Sequence, residues 1–368
     1  MSDRLLVATR KGLFIVDRGM GHWAIARTCF LGENVGLVAV DPRDGAWYTT
    51  LDHGHFGAKL HRSEDAGATW TELAVPAYPE HPEGTQDQDA FGRPIPWKLN
   101  RIWALTPGLP SQPGRLWAGT LPGGLFRSED RGESWSLIES LWHMPDRKQW
   151  TGGGADLPGI HSVSLDPRDG RILVAVSSGG VWESADEGAT WASRCKGLRA
   201  DYVPPEQVED PSAQDPHCVV RCPADPDRLY MQHHNGIFVS RNGAATWTEI
   251  TDVQPSVFGF PVAVHPKDPD TAWFVPAQKD EQRIPRDAKV VVNRTRDGCA
   301  TFQTFAKGLP QEHAYDLVYR HALDVDRSGD RLAFGSSTGS AWVSEDGGES
   351  WATIGEHLPP VYAVRFVP

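Results

Sequence analysis

The stretch Ser63-Glu64-Asp65-Ala66-Gly67-Ala68-Thr69-Trp70 decides the fold, because it recurs. Written as S-x-D-x-G-x-[ST]-W, the pattern returns at Ser128 to Trp135, Ser184 to Trp191 and Ser344 to Trp351. Ser240 to Trp247 is a worn copy, with Asn242 for the Asp and Ala244 for the Gly. Thr295 to Phe302 keeps Asp297 but carries Cys299 for the Gly and Phe302 for the Trp. A seventh copy survives only as spacing: Gly12-Leu13-Phe14 precedes Trp23 at the interval by which Gly124-Leu125-Phe126 precedes Trp135. Self-similarity along a whole chain points to a repeat architecture before any other reading.

Around each copy the same four-strand unit can be traced. In the fourth unit it reads Ile160 to Asp166, a Pro-Arg-Asp-Gly turn, Arg171 to Ser177, Gly180 to Ala185, and Thr190 to Arg194. Short alternating or apolar runs punctuated by Gly, Pro and Asp are the grammar of hairpins. Seven such units predict an all-β chain, a seven-bladed β-propeller of four-stranded antiparallel blades, as one domain over residues 1–368. The chain starts on a second strand, Leu5 to Thr9, and ends on a first strand, Val361 to Val367. The two ends are therefore expected to complete blade one together.

Composition agrees. Fifteen Trp, 37 Gly and 29 Pro against four Met suit a turn-rich β protein. The formal charge of −12 opposes nucleic acid, whose phosphates need a basic surface, and disfavours anionic membranes. Met1 to Thr9 is too short and too soon followed by Arg10-Lys11 to read as a secretory signal, so the expected location is the cytoplasm. The cysteines Cys29, Cys195, Cys218, Cys222 and Cys299 are an odd set without C-x-x-C spacing, and read as reduced, mostly buried thiols.

The eight-residue pattern resembles the Asp box of the BNR repeat proteins, a glycosyl hydrolase-like propeller superfamily that includes sialidases, xyloglucanase-type glycosidases, sortilin-like receptors and photosystem-assembly factors. The resemblance implies that the box Asp, here Asp65, Asp130, Asp186, Asp297 and Asp346, holds a hairpin together rather than performing chemistry. It leaves the activity open, since the motif is specific for the propeller and not for the reaction. Sialidases carry an early Arg-Ile-Pro and six blades; here Arg283-Ile284-Pro285 is late and the count is seven, so sialidase activity is not expected.

Candidate binding residues come from aligning first strands. His161 stands five residues before Asp166, His217 five before Cys222, and His321 five before Asp326. The corresponding residues are Tyr362 in blade one, Gly36 in blade two, Arg101 in blade three and Phe260 in blade six. Neighbouring loops add Asp52, His53, His55, His233 and His234. Three readings compete for this set. Neutral His161, His217 and His321 offer ligands to Zn²⁺ or another divalent metal. Imidazolium with Arg101 would instead hold a carboxylate, phosphate or sulfate. The third reading is a set of hydrogen-bonded channel histidines with no ligand.

Glycoside hydrolysis requires two carboxyl groups about 5–9.5 Å apart. Asp52, Asp156, Asp215 and Asp316 are all candidates, and spacing selects no pair. Trp142 and Trp150, on a long loop with Gly152-Gly153-Gly154, suit sugar stacking or packing of the loop onto the scaffold. The expectation is a propeller that binds a polar or anionic small molecule, such as a carbohydrate. The alternative is a non-catalytic scaffold gripping a protein partner.

Overall fold

The computed structural model describes residues 1–81, 84, 87–152 and 156–368. These residues form seven four-stranded antiparallel sheets, a seven-bladed propeller with almost no helix. Blade one is β28 (Val361–Phe366), β1 (Arg4–Thr9), β2 (Gly12–Gly19) and β3 (His22–Cys29). Blade two is β4 (Val35–Val40), β5 (Trp47–Asp52), β6 (Ala58–Ser63) and β7 (Thr71–Leu73). Blade three is β8 (Arg101–Pro107), β9 (Leu116–Leu121), β10 (Leu125–Ser128) and β11 (Ser136–Leu137). Blade four is β12 (Ile160–Leu165), β13 (Ile172–Val176), β14 (Gly180–Ser184) and β15 (Ala192–Ser193). Blade five is β16 (Pro216–Arg221), β17 (Leu229–His233), β18 (Ile237–Ser240) and β19 (Thr248–Ile250). Blade six is β20 (Gly259–Val264), β21 (Ala272–Pro276), β22 (Val292–Thr295) and β23 (Gln303–Phe305). Blade seven is β24 (Leu323–Val325), β25 (Leu332–Gly335), β26 (Ala341–Ser344) and β27 (Ala352–Gly355).

The tail strand docks on the head of the chain as expected, with Leu5 opposite Phe366 and Val7 opposite Val364. The Ser2 N–H donates to Asp326 Oδ2 at 2.9 Å, a second tie between the chain start and blade seven.

The eight-residue turns share one geometry. The Ser63 hydroxyl donates to Asp65 Oδ1 and accepts the Gly67 N–H, both at 2.8 Å. Asp65 in turn accepts the Thr69 N–H at 2.8 Å and the Thr69 hydroxyl at 2.6 Å. The network repeats at Asp130, Asp186, Asp297 and Asp346. These bonds hold the carboxylates of Asp65 and Asp186 down at about 2.

The fourth and fifth turn residues are both left-handed, at φ 56 and 78° in Ala66-Gly67. That explains the worn copies. Where Ala244 and Cys299 stand fifth, at φ 69 and 73°, the glycine has moved to fourth, as Gly243 and Gly298. At least one glycine per turn is kept, and two in Gly347-Gly348, because each left-handed L-residue costs about 1–2 kcal/mol. Blade one dispenses with the box: Met20 and Gly21, at φ 48 and 85°, join β2 to β3 in a two-residue hairpin whose flanking pair is Gly19 and His22.

The chain divides into two compact units. The first, residues 1–40, 217–244 and 248–368, has a core that includes Trp273, Phe334, Trp342, Trp351, Val7 and Val364. The second, residues 41–216 and 245–247, packs Trp117, Leu125, Ile138, Trp150, Ile160 and Trp182 together. All five cysteines are thiols outside any disulfide, and four are buried.

Candidate functional site

In the second unit, β5 delivers Asp52 at its last residue and β8 delivers Arg101 at its first. Arg101 Nε lies 3.8 Å from Asp52 Oδ2, an ion pair too long to be a hydrogen bond. The Asp52 side chain is only 10% exposed, and both its Oδ1 and Arg101 Nε are buried without a hydrogen-bond partner. Burial pushes the Asp52 carboxyl above its usual range, with the Arg101 charge pulling the other way.

The other three candidate carboxylates are placed differently. Asp156 is exposed on the loop ahead of β12. Asp215 is buried and accepts the Ser178 N–H at 3.0 Å. Asp316 accepts the hydroxyls of Ser336, at 2.7 Å, and Thr338. Asp52 alone of the four combines burial, a raised proton affinity and an oxygen without a partner. Nearby, His55 is exposed and stacks edge-on with Phe56 at 5.4 Å, while the His53 N–H donates to the Gly57 carbonyl at 3.1 Å.

The first-strand alignment acquires a physical basis. In β12 the ladder skips from Ile160 to Ser162, leaving His161 as a β-bulge. In β28 the skipped residue is Tyr362, and in β20 the irregularity spans Phe260. In β8 it is Trp103 and not Arg101. The reason is the anchor used for counting: the Gly108 N–H closes onto Arg115 O as the Asp166 N–H closes onto Arg171 O. Five residues back from Gly108 is Trp103, so the blade-three position is corrected from Arg101 to Trp103. The anchoring turn was the signal that could have found it.

His161, the bulged histidine, and His217 serve as pegs. His161 is 1% exposed, with Nε2 2.7 Å from the Pro216 carbonyl and Nδ1 2.9 Å from Ser162 Oγ. Its ring meets Trp103 edge-on at 5.7 Å. His217 is 3% exposed, with Nδ1 2.7 Å from the Gly259 carbonyl. His321 is half-buried and bridges to Ala363 of β28. Among the described residues, His161 and His321 fall in no group of three donors close enough to share an ion, so His161, His217 and His321 are not brought together. His233 is fully buried, packs 5.2 Å from Phe238 and accepts the Asn235 N–H on Nδ1.

In the first unit the rings form a continuous belt. His217 stacks on Phe260 at 4.4 Å and 12°, Phe260 meets Tyr319 at 6.1 Å, and Tyr319 meets Tyr362 at 6.4 Å. The guanidiniums of Arg283 and Arg320 lie 5.4 and 5.8 Å from the Phe260 ring centre. Arg320 Nε also donates to the His217 carbonyl at 2.7 Å. The partners Tyr319 and Arg320 carry no motif and were not legible in the sequence, and Arg283 stood out there only as part of the late Arg-Ile-Pro.

Trp142 and Trp150 are each 1% exposed, so they pack the loop onto the scaffold and are not sugar platforms. Beneath Trp142 the Arg147 guanidinium sits 3.9 Å from the ring and pairs with Asp87 at 2.5 Å. Gly152 is described, whereas Gly153 and Gly154 lie outside the described residues.

No family model matches the chain. The chain is 26% identical, over 95% of its length, to a probable oligoxyloglucan-reducing end-specific xyloglucanase of Neosartorya fischeri. It spans 43% of that protein, less than half the length of the curated relatives it matches. Among solved structures, an ancestral GH74 enzyme superposes with a TM-score of 0.58 at 17% identity, covering 85% of this chain and 36% of that one. YCF48 bound to D1 peptide superposes at 0.51 and 14% identity, covering 94% and 87%. The chain is a seven-bladed propeller whose sequence relatives are xyloglucanases.

Proposed function

We propose that this is a BNR/Asp-box repeat propeller that binds a carbohydrate, with glycosyl hydrolase-like chemistry centred on Asp52. The observation that carries the reading is the buried Asp52 carboxyl, which has an oxygen without a partner and faces Arg101. Burial that raises a carboxyl's affinity for its proton is the tuning a general acid uses to protonate a leaving oxygen. The xyloglucanase relatives support the carbohydrate class.

The test is calorimetric titration of the full chain with xyloglucan oligosaccharides, followed by reducing-end assay, for wild type and Asp52→Asn. Binding by the wild type that Asp52→Asn weakens, with loss of any turnover, supports the reading. Absence of binding to any oligosaccharide rejects it.

A second reading is a non-catalytic protein-interaction scaffold. It is favoured by the near-equal lengths in the YCF48 superposition and by the exposed loop aromatics Phe56, Phe91 and Tyr315. A pull-down unaffected by Asp52→Asn but lost on Phe91→Ala distinguishes it.

A further inference from the structure

We propose that Thr50 is a positioning residue for Asp52, holding its carboxyl through one internal water molecule shared by Thr50 Oγ1 and Asp52 Oδ1. The functional consequence rests on the Asp52 reading above, whereas the water site itself is read from geometry and involves no substrate. Both residues stand on β5, two apart, and side chains of alternate strand residues lie on one face of a sheet. That face turns toward blade three. Two residues before Thr50, the Tyr48 hydroxyl donates to the Arg131 carbonyl at 3.4 Å. Arg62, opposite Tyr48 in the ladder, donates to the same carbonyl at 3.1 Å. At the other end of the face Asp52 meets Arg101 of β8. Thr50 lies between them, in the seam of two blades that belong to one compact unit.

Thr50 is 0% exposed, and its Oγ1 is buried without a hydrogen-bond partner. Asp52 Oδ1 is in the same condition two residues on. Buried polar atoms are nearly always hydrogen-bonded, to protein or to ordered water. A hydroxyl that donates or accepts and a carboxyl oxygen on the same face supply the polar partners an internal water needs. The spacing fits. Alternate strand residues are about 6.7 Å apart, and two hydrogen bonds of about 2.8 Å meeting at a water span about 4.6–5.6 Å. A cation is disfavoured there, because the Arg101 guanidinium already stands beside Asp52 Oδ2. A carboxyl has little torsional preference of its own; one oxygen tied through water to Thr50 keeps the other turned to Arg101. The charged groups facing Asp52 are Arg101 and the adjoining His53. The water adds a hydrogen bond that favours the ionised carboxyl, against the burial that disfavours it.

The experiment uses the full chain without ligand. The Asp52 carboxyl is titrated by ¹³C NMR, assigned with Asp52→Asn, in wild type, Thr50→Val and Thr50→Ser, and each protein is crystallised. Wild type should show one ordered water within hydrogen-bond distance of both oxygens, and Thr50→Val none. Thr50→Val keeps the side-chain shape without the hydroxyl and should raise the Asp52 pKa by about one unit. Thr50→Ser should keep both the water and the wild-type titration, which separates the hydroxyl from packing alone. A wild-type crystal without that water, or a folded Thr50→Val that titrates as wild type does, overturns the inference. If Thr50→Val does not fold, the wild-type and Thr50→Ser crystals still decide it. Failure to bind any oligosaccharide would reject the Asp52 chemistry without touching the water site, so the two failures are distinguishable.

Discussion

Replacing Gly308 with Ala separates two costs that the fold imposes on one residue. Gly308 has φ +83°, and a Cβ there would stand 1.9 Å from the Trp351 carbonyl oxygen. The neighbouring Lys307 carbonyl accepts the Trp351 N–H at 2.9 Å, so the segment lies directly on the backbone of the aromatic that closes the last box. The left-handed backbone alone costs an L-residue about 1–2 kcal/mol. Moving the segment away forfeits the hydrogen bond, about 1 kcal/mol, and slackens Trp351, which is 5% exposed. The sum is about 2–3 kcal/mol. Gly21 is the internal control: it lies in the same unit at φ +85° with nothing within 4 Å of an added Cβ. Gly21→Ala should therefore cost only the left-handed strain, about 1–2 kcal/mol. Urea unfolding followed by tryptophan fluorescence reads both midpoints. Equal shifts in the two variants would refute the close-approach argument. Gly197, whose Cβ would meet the Trp247 carbonyl at 2.2 Å, should repeat the Gly308 result in the second unit.

The box carboxylates Asp65 and Asp186 ionise in the fold at about 2 against an ordinary 3.8, so their contribution is present above pH 3.8. It is lost as pH falls toward 2; Asp65→Asn and Asp186→Asn should flatten the acid limb of a melting-temperature profile, and an unchanged limb speaks against the hydrogen-bond account. Asp52 has the opposite sign: its raised affinity for a proton means stability is present below pH 3.8 and declines as the group ionises. Asp52→Asn should therefore melt above wild type at pH 7 and converge with it at pH 4, and a variant less stable at pH 7 contradicts the burial argument. His161→Phe keeps a ring but leaves the Pro216 carbonyl without its 2.7 Å partner; denaturant unfolding should show a loss of about 1–3 kcal/mol, and no loss would deny the peg role. Deleting residues 361–368 removes β28 and uncovers Leu5 and Val7, both 0% exposed; soluble, cooperatively folding protein from that truncation would show that the tail does not close blade one.

Much of the architecture was legible because each blade is specified locally. Ser63, Asp65, Gly67 and Thr69 bond to one another across a few residues, so the same short string yields the same turn wherever it stands. Strand limits at Ile160, Gly180 and Val361 were readable for the same reason, from turn residues and alternation. Less of the candidate site was readable. Asp52 was one of four equal carboxylates in the sequence, since burial and a missing partner belong to no string of residues. Trp142 and Trp150 read equally as platforms or as core. The blade-three position was counted from the wrong turn, because β8 has seven residues where β12 has six.

By itself, then, the sequence determined the repeat count, the blade grammar and the joining of the two ends, all of which follow from contacts a few residues apart or from strand order. Only the tertiary structure decided which of the four candidate carboxyls has its proton affinity raised and which histidines are pegs. Those properties depend on desolvation and on backbone carbonyls supplied by strands distant in the chain, such as Gly259 for His217 and Pro216 for His161.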